Sequence, residues 1–342
     1  MVSMRELQNA YRSRKRLLIK DRAGVYHVLS RTTCKAHLFG PEEKEMFCNL
    51  LFKQIQFAGV ELLSYCIMNN HVHLLLRVPQ IESMEDEVML GRYADYYGEN
   101  KLPLSTYSVS ELKEILAEGG PMATQARARI LARMGNLPAF MRELKQRFSI
   151  WYNHKHDNKG TIWAARYKSL IVEDEAETLT KVAAYIDLNP VRAEIVGDPK
   201  DYRWCGYAAS LAGQGIARKG TLLLFENLRD YDTAIASYRL ILFGKGYGTK
   251  GMPGKDQGRI SPEKLQQVIK QNGKVPIHEL LRMRVRYFTD GVALGSEGFI
   301  EELFKQNKAE FGPKRKRGGT ALAEATWGPI HVIRNLKRRI YG

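Results

Sequence analysis

Two histidines stand two residues apart in the run Tyr65-Cys-Ile-Met-Asn-Asn-His71-Val72-His73-Leu-Leu-Leu-Arg77. Val, Ile, Leu and Tyr dominate this run, which predicts strands on either side of a break at Asn69-Asn70. Residues i and i+2 of a strand point to one face, so His71 and His73 project together while Val72 faces away. Two imidazoles on one face offer half of a metal site, and imidazole suits Zn, Mn, Fe or Cu better than Mg or Ca. A lone strand histidine is usually a hydrogen-bonded, half-buried side chain; the pairing puts ligation on an equal footing with that reading.

A second constellation lies in Glu177-Thr-Leu-Thr-Lys-Val-Ala-Ala-Tyr185-Ile-Asp187-Leu-Asn189-Pro190-Val-Arg192. Leu179, Val182 and Ile186 fall at helical spacing, and Pro190 predicts that the regular helix ends by Asn189. Tyr185 and Asn189 are four apart and share one helix face if the last turn persists. Alone, this tyrosine is a packing residue with a wet hydroxyl, and Asn before Pro is an ordinary turn former.

Taken together, five segments in order carry a resemblance. They are Tyr26-His-Val-Leu-Ser-Arg31, Met68-Asn-Asn-His-Val-His-Leu-Leu, Trp163-Ala-Ala-Arg166-Tyr-Lys-Ser, Tyr185-Ile-Asp-Leu-Asn-Pro-Val-Arg192 and Asp201-Tyr-Arg-Trp-Cys-Gly-Tyr207. The series resembles the IS200-type, single-tyrosine HUH transposase superfamily, and within it the REP-associated tyrosine transposases, over roughly residues 20–210. The resemblance implies that His71 and His73 are the metal-binding histidines, that Tyr185 is the nucleophile, and that Asn189 completes the metal site. Tyr152, on a helix before Asn153, is the competing nucleophile. Tyr185 is preferred because only there does an amide follow at i+4.

The chemistry accounts for these residue types. A phosphodiester resists attack because the nucleophile meets negative charge and the alkoxide leaves poorly. A divalent ion on His71, His73 and Asn189 would neutralise charge developing at phosphorus. Tyr185 would attack as phenolate and form a covalent intermediate, splitting the transfer in two. Phenol loses its proton only near pH 10 in water, so the site must assist. The resemblance implies a 5′-phosphotyrosine, Mg²⁺ or Mn²⁺ as cofactor, and hairpin-bearing single-stranded DNA as partner. Imidazole ligands favour Mn²⁺. Arg166, Lys168 and Arg192, near the motif segments, are candidate DNA-phosphate contacts, and His27 is a candidate neighbour of the histidine pair. Two other readings stand beside this one: a domesticated, non-catalytic DNA hairpin-binding protein, and an RNA-binding ferredoxin-like module without metal.

The elements that must position these residues alternate in period. Residues 25–31, 61–68, 71–78 and 162–172 read as strands; 42–57, 140–152 and 176–188 read as helices. The order β-α-β-β-α-β-α is the ferredoxin-like pattern with a terminal helix, an α+β fold, and the resemblance implies the same fold. Residues 1–20 form a basic arm and 21–212 the catalytic domain, interrupted at about 80–138 by an insertion much longer than ordinary connections. Helices are expected there at 84–97, 109–116 and 125–134, the last carrying Arg127, Arg129 and Arg133, and the block reads as a DNA-gripping lid beside the site.

A helical extension over 213–243, a Gly-rich linker over 244–258 and a small helical region over 259–342 complete the plan. Helices at 262–272, 276–287 and 298–307 fit a helix-turn-helix unit as well as a partner-binding domain. A formal net charge of +16 for 342 residues draws the chain towards polyanions. No apolar run reaches membrane-spanning length and no signal peptide is apparent, so a cytoplasmic, nucleoid-associated protein is expected. Cys34, Cys48, Cys66 and Cys205 form no C-x-x-C pair and read as reduced thiols. Monomer and homodimer both remain open.

Overall fold

The computed structural model describes residues 16–19, 21–98, 106–228, 230–243, 281, 287–322 and 330–336. The basic arm before Arg16, the Gly-rich linker and the expected helices at 262–272 and 276–287 lie outside the described residues, Leu281 and Tyr287 excepted.

The chain opens with β1 (Gly24–Arg31), α1 (Pro41–Ala58), β2 (Glu61–Ile67) and β3 (His71–Val78). Pro41 starts α1 at a position where its missing N–H costs nothing, and Gly59 ends it in the left-handed conformation at φ 65°. The insertion folds as α2 (Asp86–Tyr97), α3 (Val109–Glu118) and α4 (Gly120–Leu131). Then follow α5 (Leu137–Lys155), β4 (Lys168–Val172) and α6 (Ala176–Asp187), so the expected ferredoxin-like order is realised in an α+β fold. β4 is shorter than the strand read over 162–172; Trp163 before it makes only an isolated bridge to Thr32.

A one-turn α7 (Asn189–Arg192), α8 (Gly206–Leu211), α9 (Gly215–Leu224) and α10 (Tyr231–Phe243) continue the chain. The helical extension read over 213–243 consists of α9 and α10. After α11 (Tyr287–Asp290) come β5 (Ala293–Ser296), α12 (Glu297–Gln306), β6 (Thr320–Ala321) and β7 (Ile330–Ile333). Among the described residues, the small C-terminal region expected to be helical therefore supplies three strands as well as α11 and α12.

All seven strands share one sheet in the order β2-β3-β1-β4-β5-β7-β6. β1 pairs antiparallel with β3, bringing Leu29 opposite His73 and Arg31 opposite His71. It pairs antiparallel with β4, Leu29 facing Lys168 and His27 facing Leu170, and β5 extends β4 in parallel. Alternation then divides the sheet. Tyr26, Val28, Val72 and Leu74 face a core with Phe47, Leu51 and Phe148 from α1 and α5. Val25, Leu75, Leu170 and Val172 face a second core with Leu179, Val182 and Ile186 of α6. No described helix is long and apolar enough to cross a membrane.

The insertion joins the first core, Tyr96 stacking on Phe57 of α1 with ring centroids 4.6 Å apart. Two of its arginines are engaged within the protein, Arg127 donating to both carboxylate oxygens of Asp86 at 2.6 Å and Arg133 pairing with Glu143 at 2.8 Å, while Arg129 is exposed. The expected lid beside the site is instead a buttress for α1 on the other face of the sheet.

Candidate active site

His71 and His73 rise from β3 toward α6, with ring centroids 5.1 Å apart and planes at 80°. The Tyr185 ring, in the last turn of α6, stands 6.2 Å from the rings of both His73 and His27. The sheet register and the helix thus bring the predicted nucleophile to the predicted histidine pair within one chain.

The hydrogen bonds of these rings fix where their lone pairs lie. A carbonyl oxygen can only accept, so His27 Nδ1–H donates to Phe288 O at 2.8 Å. Burial pushes His27 down to about 4, against the pull of that carbonyl, so its Nε2 carries no proton near neutrality. His27 Nε2 therefore accepts from His73 Nδ1–H at 2.8 Å, and the lone pair of His73 sits on Nε2. Burial, then His27, His71 and Arg192, hold His73 well below the usual imidazole range. A parallel arrangement serves His71. Asn70 Nδ2 donates to Lys35 O at 3.1 Å, turning Asn70 Oδ1 to accept from His71 Nδ1–H at 2.7 Å. Both histidines of the pair thus keep their lone pair on Nε2.

Asn189 donates from Nδ2 to Ile186 O at 2.9 Å, closing the end of α6 where Pro190 provides no N–H. Its Oδ1 is then the atom able to ligate. Among the described residues no three His, Cys, Asp or Glu side chains are placed to hold a metal ion. Asn189 is 8% exposed and sits one turn beyond Tyr185, at the C-terminal end of α6. Two imidazole nitrogens and an amide oxygen fit Mn²⁺ better than Mg²⁺.

Tyr185 is 2% exposed. The Phe288 ring of α11 stacks on it at 4.8 Å and 28°, and the Arg192 guanidinium carbon lies 4.0 Å from the ring centre. Burial lowers the Arg192 guanidinium from its ordinary range, and its interaction with Tyr185 pulls the other way.

Residues 22–90 match the family model described as transposase IS200 like. Over that stretch the chain is similar to the IS200-like transposases. The stretch contains β1 to β3 with His27, Asn70, His71 and His73, whereas Tyr185, Asn189 and Arg192 lie beyond it. Among solved structures, a REP-associated tyrosine transposase bound to a REP hairpin is similar at 12% sequence identity and a TM-score of 0.38, with 59% of this chain and 87% of that chain covered. No curated protein matches the chain.

Of the expected phosphate contacts, Arg166 is exposed, and Lys168 is exposed but lies 3.4 Å from Asp290. Arg192 departs from the expectation: it donates to Tyr185 O and Leu281 O, both at 2.7 Å, and forms a wall of the tyrosine pocket instead of a free phosphate clamp. Tyr152 belongs to the core on the opposite face, 4.3 Å from the His156 ring, so it does not share the histidine site. Trp163 packs with Phe39 and Phe148 and donates to Ser149 Oγ at 2.9 Å, a core role.

Asp187 carries no sequence signal beyond an acid in an apolar helix, yet it ties the site down. Its carboxylate accepts from Tyr238 Oη at 2.5 Å, Ser64 Oγ at 3.0 Å and Tyr207 N at 3.0 Å. Burial pushes the carboxyl up to about 6 although all three bonds favour the anion. Phe288 carries no signal either, since 261 positions separate it from the histidine it contacts.

Proposed function

We propose that this chain is a metal-dependent single-stranded DNA endonuclease and strand transferase that works through Tyr185 at hairpin-bearing sites. The observation carrying this reading is the placement of the Tyr185 ring 6.2 Å from His73, with Arg192 over its face. His71, His73 and Asn189 would hold Mg²⁺ or Mn²⁺, which when bound supplies charge neutralisation at a non-bridging phosphate oxygen. Tyr185 Oη, having lost its proton, forms a bond to phosphorus as the bond to the leaving 3′-oxygen breaks. The products are a 5′-phosphotyrosine and a free 3′-OH, and the reverse attack joins strands. Arg192 offsets the phenolate charge, and the net charge of +16 draws in the strand.

The test uses hairpin oligonucleotides from DNA flanking the gene, with Mn²⁺, Mg²⁺ or EDTA, read on denaturing gels. A covalent band that needs metal, disappears with Tyr185→Phe and survives Tyr152→Phe supports the reading. Loss only with Tyr152→Phe would move the nucleophile. The burial of Tyr185 beneath Phe288 favours one second reading, a non-catalytic hairpin binder. Tight, metal-independent binding with no adduct on any hairpin would select it.

A further inference from the structure

Each histidine of the pair ends a short chain of hydrogen bonds that begins at a main-chain carbonyl. One chain runs from Phe288 O through His27 to His73, and the other from Lys35 O through Asn70 to His71. The carbonyls determine the direction of both. Each can only accept, so the His27 Nδ1 and the Asn70 Nδ2 must face them, and the other pole of each group must receive the histidine Nδ1–H.

We propose that His27 and Asn70 are positioning residues that preset His73 and His71 as Nδ1–H tautomers, with the C-terminal region taking part through Phe288 O. The inference rests on reading this pair as metal ligands, and extends it to residues that touch no ligand themselves. Orienting partners of this kind fix ring rotation and tautomer, and their loss commonly weakens metal binding about 10- to 100-fold. The geometry also gives the C-terminal strands a task. β5 pairs with β4 beside the site, and Phe288, five residues before Ala293, is thereby held against His27. Ring stacking of His27 on His73, with centroids 5.0 Å apart and planes at 24°, leaves the His73 ring little freedom to turn.

The decisive measurement needs neither DNA nor metal. Long-range ¹⁵N–¹H spectra of the full-length, histidine-labelled protein report the tautomer of each ring directly. Wild type should show His73 and His71 as Nδ1–H forms. His27→Leu, which keeps bulk but removes the acceptor, should shift His73 to the Nε2–H form that free imidazole side chains prefer, while His71 stays unchanged. Asn70→Ala should do the reverse. His27→Gln, whose Oε1 supplies an acceptor near the former Nε2, should restore His73.

Mn²⁺ binding, followed by the paramagnetic resonance signal of the free ion, should weaken about 10- to 100-fold in His27→Leu and recover in part in His27→Gln. An Nδ1–H His73 that persists in His27→Leu, in a protein whose circular dichroism matches wild type, overturns the proposal. So does an unchanged Mn²⁺ affinity beside a wild-type protein that binds the ion. If wild type binds no Mn²⁺, the metal reading fails on its own, and the metal-free spectra still decide whether the relay exists.

Discussion

The Arg192 guanidinium carbon lies 4.0 Å from the centre of the Tyr185 ring, and the same guanidinium donates to the Tyr185 carbonyl at 2.7 Å. One side chain thus clamps the backbone and faces the ring of the candidate nucleophile. A desolvated cation over an aromatic ring is worth about 2 kcal/mol, or roughly 30-fold in rate if it acts on the phenolate. Arg192→Ala should therefore slow adduct formation roughly 30-fold while hairpin affinity in a filter-binding assay changes less than about threefold. The opposite pattern, weaker binding at an unchanged rate, would return Arg192 to the role of phosphate contact.

Asp187 should separate shape from charge. Asp187→Ala strands the Tyr207 N–H and two hydroxyls in the core, and a loss on the order of 3 kcal/mol is expected in urea unfolding. Asp187→Asn keeps an acceptor for Tyr207 N–H and lets the hydroxyls of Ser64 and Tyr238 accept. It should cost less than half as much. Equal losses for the two variants would show that the negative charge itself is needed.

Lys145 gives a pH dependence with a definite sign. Burial, helped by Arg16, lowers its ammonium to about 8, below the ordinary 10.5. Between those values the unfolded chain holds a proton that the folded protein has released. Stability should then rise with pH from about 8 to 10.5, by up to roughly 3 kcal/mol. Below pH 8 the buried charge is a standing cost. Lys145→Met should flatten this rise, and chemical denaturation at pH 7.5 and 10 would reveal a slope that failed to change.

Gly220 marks where α9 meets β2. A Cβ there would stand 2.3 Å from Leu62 O and 3.0 Å from Leu63 O, both main-chain atoms that cannot swing aside. Gly220→Ala should cost about 2–3 kcal/mol and lower the melting temperature by several degrees. A calorimetric Tm unchanged within a degree would mean the helix shifts freely.

Much of this arrangement is legible in the sequence. A period of two placed His71 and His73 on one face, and a period of 3.6 put Tyr185 and Asn189 at the same helix end, because both patterns are local. The insertion's helices were legible too, but their purpose was not: whether Arg127 meets a phosphate or Asp86 depends on a packing 41 residues apart in sequence. β5 and β7, four residues each, and β6, two, are too short for alternation to register against a background of glycines and lysines. The contact of Phe288 with His27 depends on that unread pairing of β5 with β4, so the deepest layer of the site was hidden with it.

The sheet has a further consequence at its rims. A bare strand edge offers a row of unpaired amides to any passing chain and invites aggregation. Here β4, the natural border of the ferredoxin-like unit, is overlaid by β5. The far border, β2, is closed by Trp204 O accepting from Ile67 N at 3.0 Å, by a bridge from Cys205 to Cys66, and by α9 against Leu62 and Leu63. The other border recedes to β6, only two residues long, so that with β2 covered as well, copies of this chain brought close together would find little ladder to zipper along.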